Sequence, residues 1–243
     1  MPKFFISPEQ ATGSSVLMTG EDARHIVASL RMEEGERLTL CDGAGIDLLC
    51  RIERVGKTEV ALSVLERRPS EGESACRITL FQCLPKGDKM ESIVQKSVEL
   101  GVASIVPVLS SRCISRPDAA GMEKKRRRWQ LIAQEAAKQS RRGIIPVVEE
   151  MLRFEDAVAR LSAMEYGLLL YEKQQGSGIS QIPASAAEIG VLVGPEGGIS
   201  PEEAEKCSAM GLLSIGLGPR ILRTETAGSA AIAVLQYQTG NLE

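Results

Sequence analysis

Two glycine-containing segments near the C-terminus have the composition of ligand-binding loops. The first, Gly194-Pro-Glu-Gly-Gly-Ile-Ser200, follows an apolar run and enters a helix for which Ser200, Pro201 and Glu203 supply a capping box. The second, Leu217-Gly-Pro-Arg-Ile-Leu-Arg-Thr-Glu-Thr-Ala227, mixes two arginines and a glutamate with apolar residues. Glycine lets a backbone approach a ligand closely. Composition alone leaves two readings open for each segment, a ligand clamp and a plain structural turn.

The elements that position these loops fall into two regions. Residues 1–72 contain short strand-like runs at 36–41, 46–54 and 58–66 separated by glycine turns, which predict a small meander or barrel beside one helix. A polar Pro/Gly/Ser segment at 68–74 is the best linker candidate. Residues 73–243 alternate strands with helices, which predicts a parallel α/β sheet covered on both faces. Open sheets of this kind bind ligands at the carboxyl edge, where both loops would lie.

Helical periodicity predicts two buried faces. One follows the apparent capping box at Thr19–Asp22 and comprises Ala23, Ile26, Val27 and Leu30. The other follows Asp88 as N-cap and comprises Met90, Ile93, Val94, Ser97 and Val98.

Charge is segregated along the chain. The net charge is only −3, but residues 86–142 hold 13 Lys/Arg against 6 Asp/Glu, including five consecutive basic residues at 124–128. With Lys86, Lys89, Arg112 and Arg116 these would form a broad positive surface, and phosphate contacts from such residues supply affinity with little sequence readout. A solvated helix face is the alternative for the basic run.

Composition excludes several classes of protein. No apolar run approaches the length of a membrane span and the N-terminus lacks a signal-peptide pattern, so we expect a cytoplasmic protein without membrane contact. The six cysteines form no C-x-x-C pair, and a single histidine, His25, is present. Free buried thiols are expected and a metal site is not. The lone histidine also disfavours Ser-His-Asp and Cys-His hydrolases.

Five motifs together resemble the RsmE family of 16S ribosomal RNA uridine methyltransferases, within the SPOUT class. They are the two C-terminal segments, His25-Ile-Val-Ala-Ser-Leu-Arg31, Gln95-Lys-Ser-Val-Glu-Leu-Gly-Val102 and Glu135-Ala-Ala-Lys-Gln-Ser-Arg141. They span essentially the full length of the chain. Ser97 stands where the family pattern has Thr, a change that keeps the hydroxyl.

The resemblance implies a fold and a reaction. It implies an N-terminal PUA-like or OB-like β-barrel at 1–72 and a C-terminal SPOUT domain at 73–243, whose parallel sheet carries a deep trefoil knot. It also implies S-adenosyl-L-methionine as cofactor, a homodimer, and the small ribosomal subunit as partner. The implied product is N3-methyluridine in the decoding region of 16S rRNA.

Three sets of site residues follow from the resemblance and the chemistry of uridine. For catalysis we expect Arg223 to stabilise negative charge, with Glu225 or Glu196 as the base; a purely structural role for Glu225 stays open. The cofactor set is Leu170, Gly194, Glu196, Gly197, Gly198, Leu217, Gly218, Ile221 and Leu222. The RNA-binding set is Arg24, Arg31, Lys86, Lys89, Arg112, Arg116, Arg127, Arg128, Arg141, Arg142 and Arg220.

Two alternatives remain at this stage. One is a different SPOUT activity, such as ribose 2′-O methylation or methylation of another base. The other is a non-catalytic RNA-binding assembly factor that keeps the fold. A nicotinamide dehydrogenase is a distant third, because the fingerprint glycines are missing.

Overall fold

The computed structural model describes residues 1–173 and 178–242, and its contacts divide the chain into two units. The first comprises Met1–Glu73 together with Ala137–Ile145. The second comprises Ser74–Ala136 and Pro146–Glu243. In the described ranges, no helix is both long enough and apolar enough to cross a membrane.

The first unit is built on a five-stranded sheet in the order β1-β3-β4-β5-β2. Its elements are β1 (Lys3–Phe5), β2 (Ser15–Thr19), α1 (Gly20–Arg24), β3 (Arg37–Cys41), β4 (Ile46–Val55) and β5 (Glu59–Pro69). The predicted meander is confirmed, since β3, β4 and β5 pair antiparallel in sequence order. At one edge of the sheet β1 pairs parallel with β3. At the other edge β2 pairs antiparallel with β5. Register shifts in the β4–β5 pair bend the sheet around its apolar core.

The helix of this unit departs from expectation. α1 is only five residues long and passes into one wider turn over His25–Ser29. Ala23 and Ile26 are buried as predicted, but Leu30 is 39% exposed because it lies beyond the last turn. Thr19 is the N-cap residue of α1, as the sequence predicts, but the capping box is absent because the Thr19 side chain makes no capping hydrogen bond. Strand β2 was not predicted, although its five residues alternate between exposed and buried as in a strand with one buried face.

The second unit has a parallel sheet in the order β12-β10-β11-β6-β7-β8, with β9 also paired to β7. The strands are β6 (Arg77–Cys83), β7 (Ser104–Leu109), β8 (Val147–Val148), β9 (Leu152–Arg153), β10 (Tyr166–Leu170), β11 (Glu188–Val193) and β12 (Leu213–Ile215). The helices are α2 (Lys89–Glu99), α3 (Ala119–Gln139), α4 (Phe154–Ser162), α5 (Pro201–Ala209) and α6 (Thr224–Gln238). Every pairing in this sheet is parallel, which confirms the α/β class. The trefoil knot stays a prediction.

Local patterns in this unit agree well with the sequence. All five residues predicted for the inner face of α2 are buried, and that helix stops at Gly101, which has a φ of +87°. The apolar run at 144–148 contributes only a short strand, since only Val147 and Val148 pair within the sheet. The six cysteines are free and buried, as expected.

Three neighbouring parallel strands bring the functional loops together. β10 lies between β12 and β11, so Leu170, Val193 and Ile215 end at the same edge of the sheet. Residues 194–199 follow β11 and are called the glycine loop. Residues 216–223 follow β12 and are called the arginine loop.

Candidate functional site

A cleft of about 410 Å³ opens at the carboxyl edge of the sheet in the second unit. The glycine loop forms one wall, the arginine loop another, and Leu170, Tyr171 and Glu172 extend from the strand between them. The lining includes all residues predicted to bind the cofactor, namely Leu170, Gly194, Glu196, Gly197, Gly198, Leu217, Gly218, Ile221 and Leu222. It also includes the catalytic candidates Arg223, Glu225 and Glu196. Their roles remain predictions, but the structure gathers them around one space.

The glycine loop is closely packed on its own backbone. A Cβ built on Gly194 would lie 3.0 Å from the backbone carbon of Gly198, tighter than most Cβ contacts in proteins. Gly198 has a φ of +67° and donates its N–H to the carbonyl of Pro195 at 2.9 Å. Two glycines are therefore required here, one by lack of space and one by backbone conformation.

A buried bridge ties the glycine loop to helix α6 and strand β6. The hydroxyl of Thr224 donates to the carbonyl of Gly194 at 2.7 Å. The side-chain amide of Gln82 donates to the Thr224 hydroxyl at 3.0 Å and to the carbonyl of Cys83 at 3.0 Å. Sequence reasoning missed both residues. The available signal was one glutamine inside the apolar run Arg77–Cys83.

The predicted capping box at the end of the glycine loop is confirmed. The Ser200 hydroxyl accepts the Glu203 N–H at 3.2 Å, and a Glu203 oxygen accepts the Ser200 N–H at 3.1 Å. The other Glu203 oxygen accepts the backbone N–H of Ser111 at 2.7 Å. Because Glu203 is buried and fully engaged, it anchors the loop and does not face the cleft.

One lysine connects two carboxylates in the cleft. Lys89 Nζ lies 2.8 Å from Glu196 Oε1 and 3.6 Å from Glu225 Oε2. Both Glu196 oxygens also accept the backbone N–H of Lys86, at 3.1 and 3.2 Å. Burial acts to raise the pKa of Glu196, but the hydrogen bonds from Lys89 and from the backbone outweigh it and lower the pKa. The same Glu196 bond raises the pKa of Lys89.

Glu225 differs from Glu196 in having an open acceptor. Its Oε2 is buried and has no hydrogen-bond partner among the described residues, because 3.6 Å to Lys89 is an ion-pair distance and too long for a hydrogen bond. Glu225 lies in the first turn of α6, where the helix dipole favours a negative charge. The cleft thus holds one carboxylate already satisfied by the protein and one that is not.

The arginine loop presents side chains to solvent. Ile221 is 83% exposed, and Arg220 and Arg223 are exposed as well. Leu217 and Leu222 are half-buried. Gly218 turns the backbone with a φ of +88°. An apolar side chain this exposed beside a cleft is suited to cover an apolar ligand surface.

The residues predicted to bind RNA lie in different surroundings. Lys89 faces the cleft, as does Arg220. Arg112 Nη1 donates to the Gly197 carbonyl at 2.7 Å, and Arg116 donates to the carbonyl of Ser111 at 2.9 Å. Arg142 is only 5% exposed, so it does not lie on a surface that a phosphate would reach. The remaining members are all exposed: Arg24, Arg31, Lys86, Arg127, Arg128 and Arg141.

Arg142 lies in the first unit because an acidic partner holds it there. Its guanidinium pairs with Glu73 at 2.7 Å, and the other Glu73 oxygen accepts the backbone N–H of Gly143 at 2.8 Å. Two of the exposed arginines are also paired, Arg127 with Glu123 at 2.7 Å and Arg128 with Glu91 at 2.8 Å. An exposed pair of this kind contributes little to stability and leaves the cation available to a phosphate.

Residues 1–173 and 178–242 contain no group of three or more His, Cys, Asp or Glu side chains arranged to hold a metal ion. His25 is exposed, and the centroid of its ring lies 6.0 Å from that of Phe4 in an edge-to-face arrangement within the first unit.

Comparison with known families and proteins gives a consistent result. The family described as RNA methyltransferase domain matches residues 72–236, and the one described as RNA methyltransferase PUA domain matches residues 18–65. Ribosomal RNA small subunit methyltransferase E of Bacillus subtilis is 35% identical over 230 residues, covering 91% of this chain and 90% of its own length. The protein of the same name from Mycobacterium bovis is 31% identical, covering 97% and 91%.

A solved structure is similar over the whole chain. It is that of a ribosomal RNA small subunit methyltransferase E from Neisseria gonorrhoeae bound to S-adenosyl methionine. The TM-score is 0.82 at 34% sequence identity, and the match covers 98% of this chain and 97% of the other.

Proposed function

The chain belongs to the ribosomal RNA small subunit methyltransferase E family, and on that premise we propose that it methylates N3 of one uridine in the decoding region of 16S ribosomal RNA. It is an S-adenosylmethionine-dependent methyltransferase of small-subunit ribosomal RNA. The atom and the nucleotide are the proposed part. The observation that carries it is the pairing, in one cleft, of an unsatisfied carboxylate oxygen on Glu225 with exposed arginines.

The groups that line the cleft match the chemical parts of S-adenosylmethionine. The cofactor combines an adenine, a positive sulfonium and a methionine end. We assign the exposed Ile221 and the half-buried Leu217 and Leu222 to the adenine. Their apolar surface is accessible to solvent, and a bound adenine would bury it. The close-packed glycine loop, at Gly194, Gly197 and Gly198, offers backbone without side chains to the rest of the molecule.

Methylation at N3 requires removal of a weakly acidic proton. Bound S-adenosylmethionine supplies the methyl group, and its sulfur keeps the electron pair of the broken bond. The Glu225 carboxylate accepts the N3 proton, since it lines the cleft and its Oε2 has no hydrogen-bond donor among the described residues. Glu196 is the weaker candidate for the base, because Lys89 and the Lys86 backbone already occupy its oxygens and lower its pKa. Arg223 stabilises the negative charge that develops on the uridine carbonyl oxygens.

We assign RNA contact to exposed cations, which bind phosphates and do not read the base sequence. The proposal keeps Arg112, Arg116, Arg127, Arg128 and the other exposed members, and it leaves Arg142 out because that side chain is buried. We assign residues 1–72 to a supporting RNA-binding role and residues 73–243 to the methyltransferase. Such phosphate contacts make affinity fall steeply with salt.

Two further points belong to the proposal. A homodimer is supported by apolar side chains that α6 leaves exposed, Val234 at 40% and Tyr237 at 66%. Light scattering of the purified protein measures this directly. A cytoplasmic location follows from the substrate, since small ribosomal subunits are assembled there.

The test of the reaction is to incubate the protein with labelled S-adenosylmethionine and unmodified small subunits, then map the labelled nucleotide. N3-methyluridine at one position is expected. Label on a ribose 2′-oxygen or on another base would replace the proposed product with a different methylation. Failure to bind the cofactor in calorimetry would instead favour a non-catalytic assembly factor.

The test of the base is a pair of isosteric variants. Glu225→Gln removes a carboxylate whose buried oxygen has no hydrogen-bond donor among the described residues, and it is expected to lower kcat by about 10²- to 10⁴-fold. Glu196→Gln removes a carboxylate that is already bonded and should cost much less. A smaller loss in Glu225→Gln than in Glu196→Gln would reverse the assignment, and full activity in both would exclude either side chain as the base.

A further inference from the structure

Lys89 occupies an unusual position for a residue at the start of a surface helix. Its ammonium lies between two carboxylates that come from distant parts of the chain, Glu196 from the glycine loop and Glu225 from α6. Its side chain is only 36% exposed and contacts both carboxylates, whereas Lys96, two turns along the same helix, is an exposed residue. The first residue of α2 is therefore directed into the cleft.

The geometry brings the two carboxylates close to each other. One Glu196 oxygen and one Glu225 oxygen contact the same Lys89 nitrogen, so they are no further apart than the sum of 2.8 and 3.6 Å. Two carboxylates at such a separation disfavour double ionisation unless a cation lies between them. Lys89 is the cation that the structure places there.

Other charged groups face the same space. Glu172, after β10, lies against Gly198 and adds a third carboxylate. Arg220 and Arg223 come from the arginine loop and are exposed, so their charges are screened by solvent. Lys86 contributes its backbone N–H to Glu196 and not its ammonium. None of these replaces a cation in contact with both Glu196 and Glu225.

We propose that Lys89 is a positioning residue for methyl transfer: its ammonium holds Glu196 and Glu225 side by side and balances their charges, which leaves the Glu225 carboxylate at the cleft free to accept the substrate proton. The proposal rests on the proposed function, because it assumes that Glu225 acts on the nucleotide. Lys89 itself does not touch the reacting atoms. The Lys89 ammonium donates its hydrogen bond to Glu196. This bond holds the ammonium at ion-pair distance from Glu225 and leaves Oε2 of Glu225 without a hydrogen-bond donor.

The consequence is a change in the pH dependence of methyl transfer when Lys89 is replaced by an uncharged residue. A base must be deprotonated, so the rate rises with pH through the pKa of the base. Removing an adjacent cation raises that pKa. Lys89→Met should therefore move the rising limb of the kcat profile to higher pH by roughly one to two units. Lys89→Arg keeps the charge and should stay near the wild-type profile.

A second readout does not depend on turnover. In the ligand-free protein labelled with ¹³C at glutamate carboxyls, the Glu225 signal is identified by its loss in Glu225→Gln. Its titration midpoint should rise in Lys89→Met and stay in place in Lys96→Met, the matched control on the same helix. Melting curves of all variants establish that they are folded.

The outcomes separate the two hypotheses. An unchanged Glu225 midpoint in Lys89→Met overturns the role of Lys89, even if methylation proceeds as proposed. A wild-type protein that methylates no uridine rejects the proposed function, while the carboxyl titration still reports on Lys89. If Lys89→Met does not fold, Lys89→Gln replaces it. The same rise in the midpoint is expected, and an unchanged midpoint again overturns the proposal.

Discussion

The two loops that frame the cleft differ in how far the protein itself fixes their conformation. The glycine loop is bonded from several sides, through Pro195, Thr224 and Arg112, and ends in a complete capping box. The arginine loop leaves Ile221 largely exposed, and its residues 216–222 make no hydrogen bond that the structure records. One wall of the cleft is rigid before any ligand arrives, and the other has apolar surface and charge still to be satisfied.

This difference gives the two loops different roles in binding, although both sequences contain glycine and proline. A preformed wall reduces the ordering cost of binding, because its side chains and backbone are already in place. An open wall supplies surface that only the ligand buries. Changes in the glycine loop should therefore affect folding and binding together, whereas changes in the arginine loop should affect binding alone.

The largest effect is expected from Gly194→Ala. Its Cβ would lie 3.0 Å from the backbone carbon of Gly198, so the hydrogen-bonded loop would have to shift to accommodate it. We expect the free energy of unfolding to fall by about 1–3 kcal/mol and cofactor binding to be lost. Gly197→Ala is the control for stability, since its Cβ would make ordinary contacts with the Arg112 side chain. Urea denaturation and calorimetry measure the two quantities, and equal stability in both variants would show that the glycine loop is not rigid.

Much of this contrast was open to prediction from local sequence. The Ser200 capping box, the inner face of α2 and the glycines of the first loop depend on residues a few positions apart, where spacing is informative. Both loops were expected at one sheet edge, because strand–helix alternation implies parallel strands. These features follow from backbone conformation and periodicity alone.

What sequence reasoning missed depends on contacts between distant residues. Lys89 was assigned to an RNA surface because its partner Glu196 lies 107 residues away. Gln82 and Thr224, which together support Gly194, are 142 residues apart. Arg142 was expected on the surface because nothing near it in the chain indicates its pairing with Glu73. Strand order decides such contacts, and single-strand patterns carry no information on strand order.

An intermediate effect is expected from Thr224→Val. The change keeps the shape and removes the hydroxyl, so the Gly194 carbonyl loses a bond and the buried Gln82 amide loses an acceptor. A buried group left unpaired costs about 1–3 kcal/mol, and the glycine loop is loosened as well. Thr226→Val is the matched control two residues on, where the side chain is exposed. Thermal unfolding and cofactor titration compare the pair, and the bridge is unimportant if both variants melt alike.

The smallest and most selective effect is expected from Ile221→Ala in the arginine loop. Because this side chain is 83% exposed, its truncation should leave the free energy of unfolding within about 0.5 kcal/mol of the wild type. Binding should weaken, since the cofactor would bury the methyl groups that are lost, at about 0.8 kcal/mol for each buried carbon. That corresponds to a drop of roughly tenfold or more in affinity, read by calorimetry.

Ile114→Ala provides the control for that last measurement. Ile114 is 72% exposed in the same unit but does not line the cleft, so its truncation should change neither stability nor affinity. A loss of stability in Ile221→Ala would mean that the arginine loop packs on the protein more than its exposure indicates. Unchanged affinity would mean that the adenine lies elsewhere in the cleft, and the open wall would then be assigned to the nucleotide instead of the cofactor.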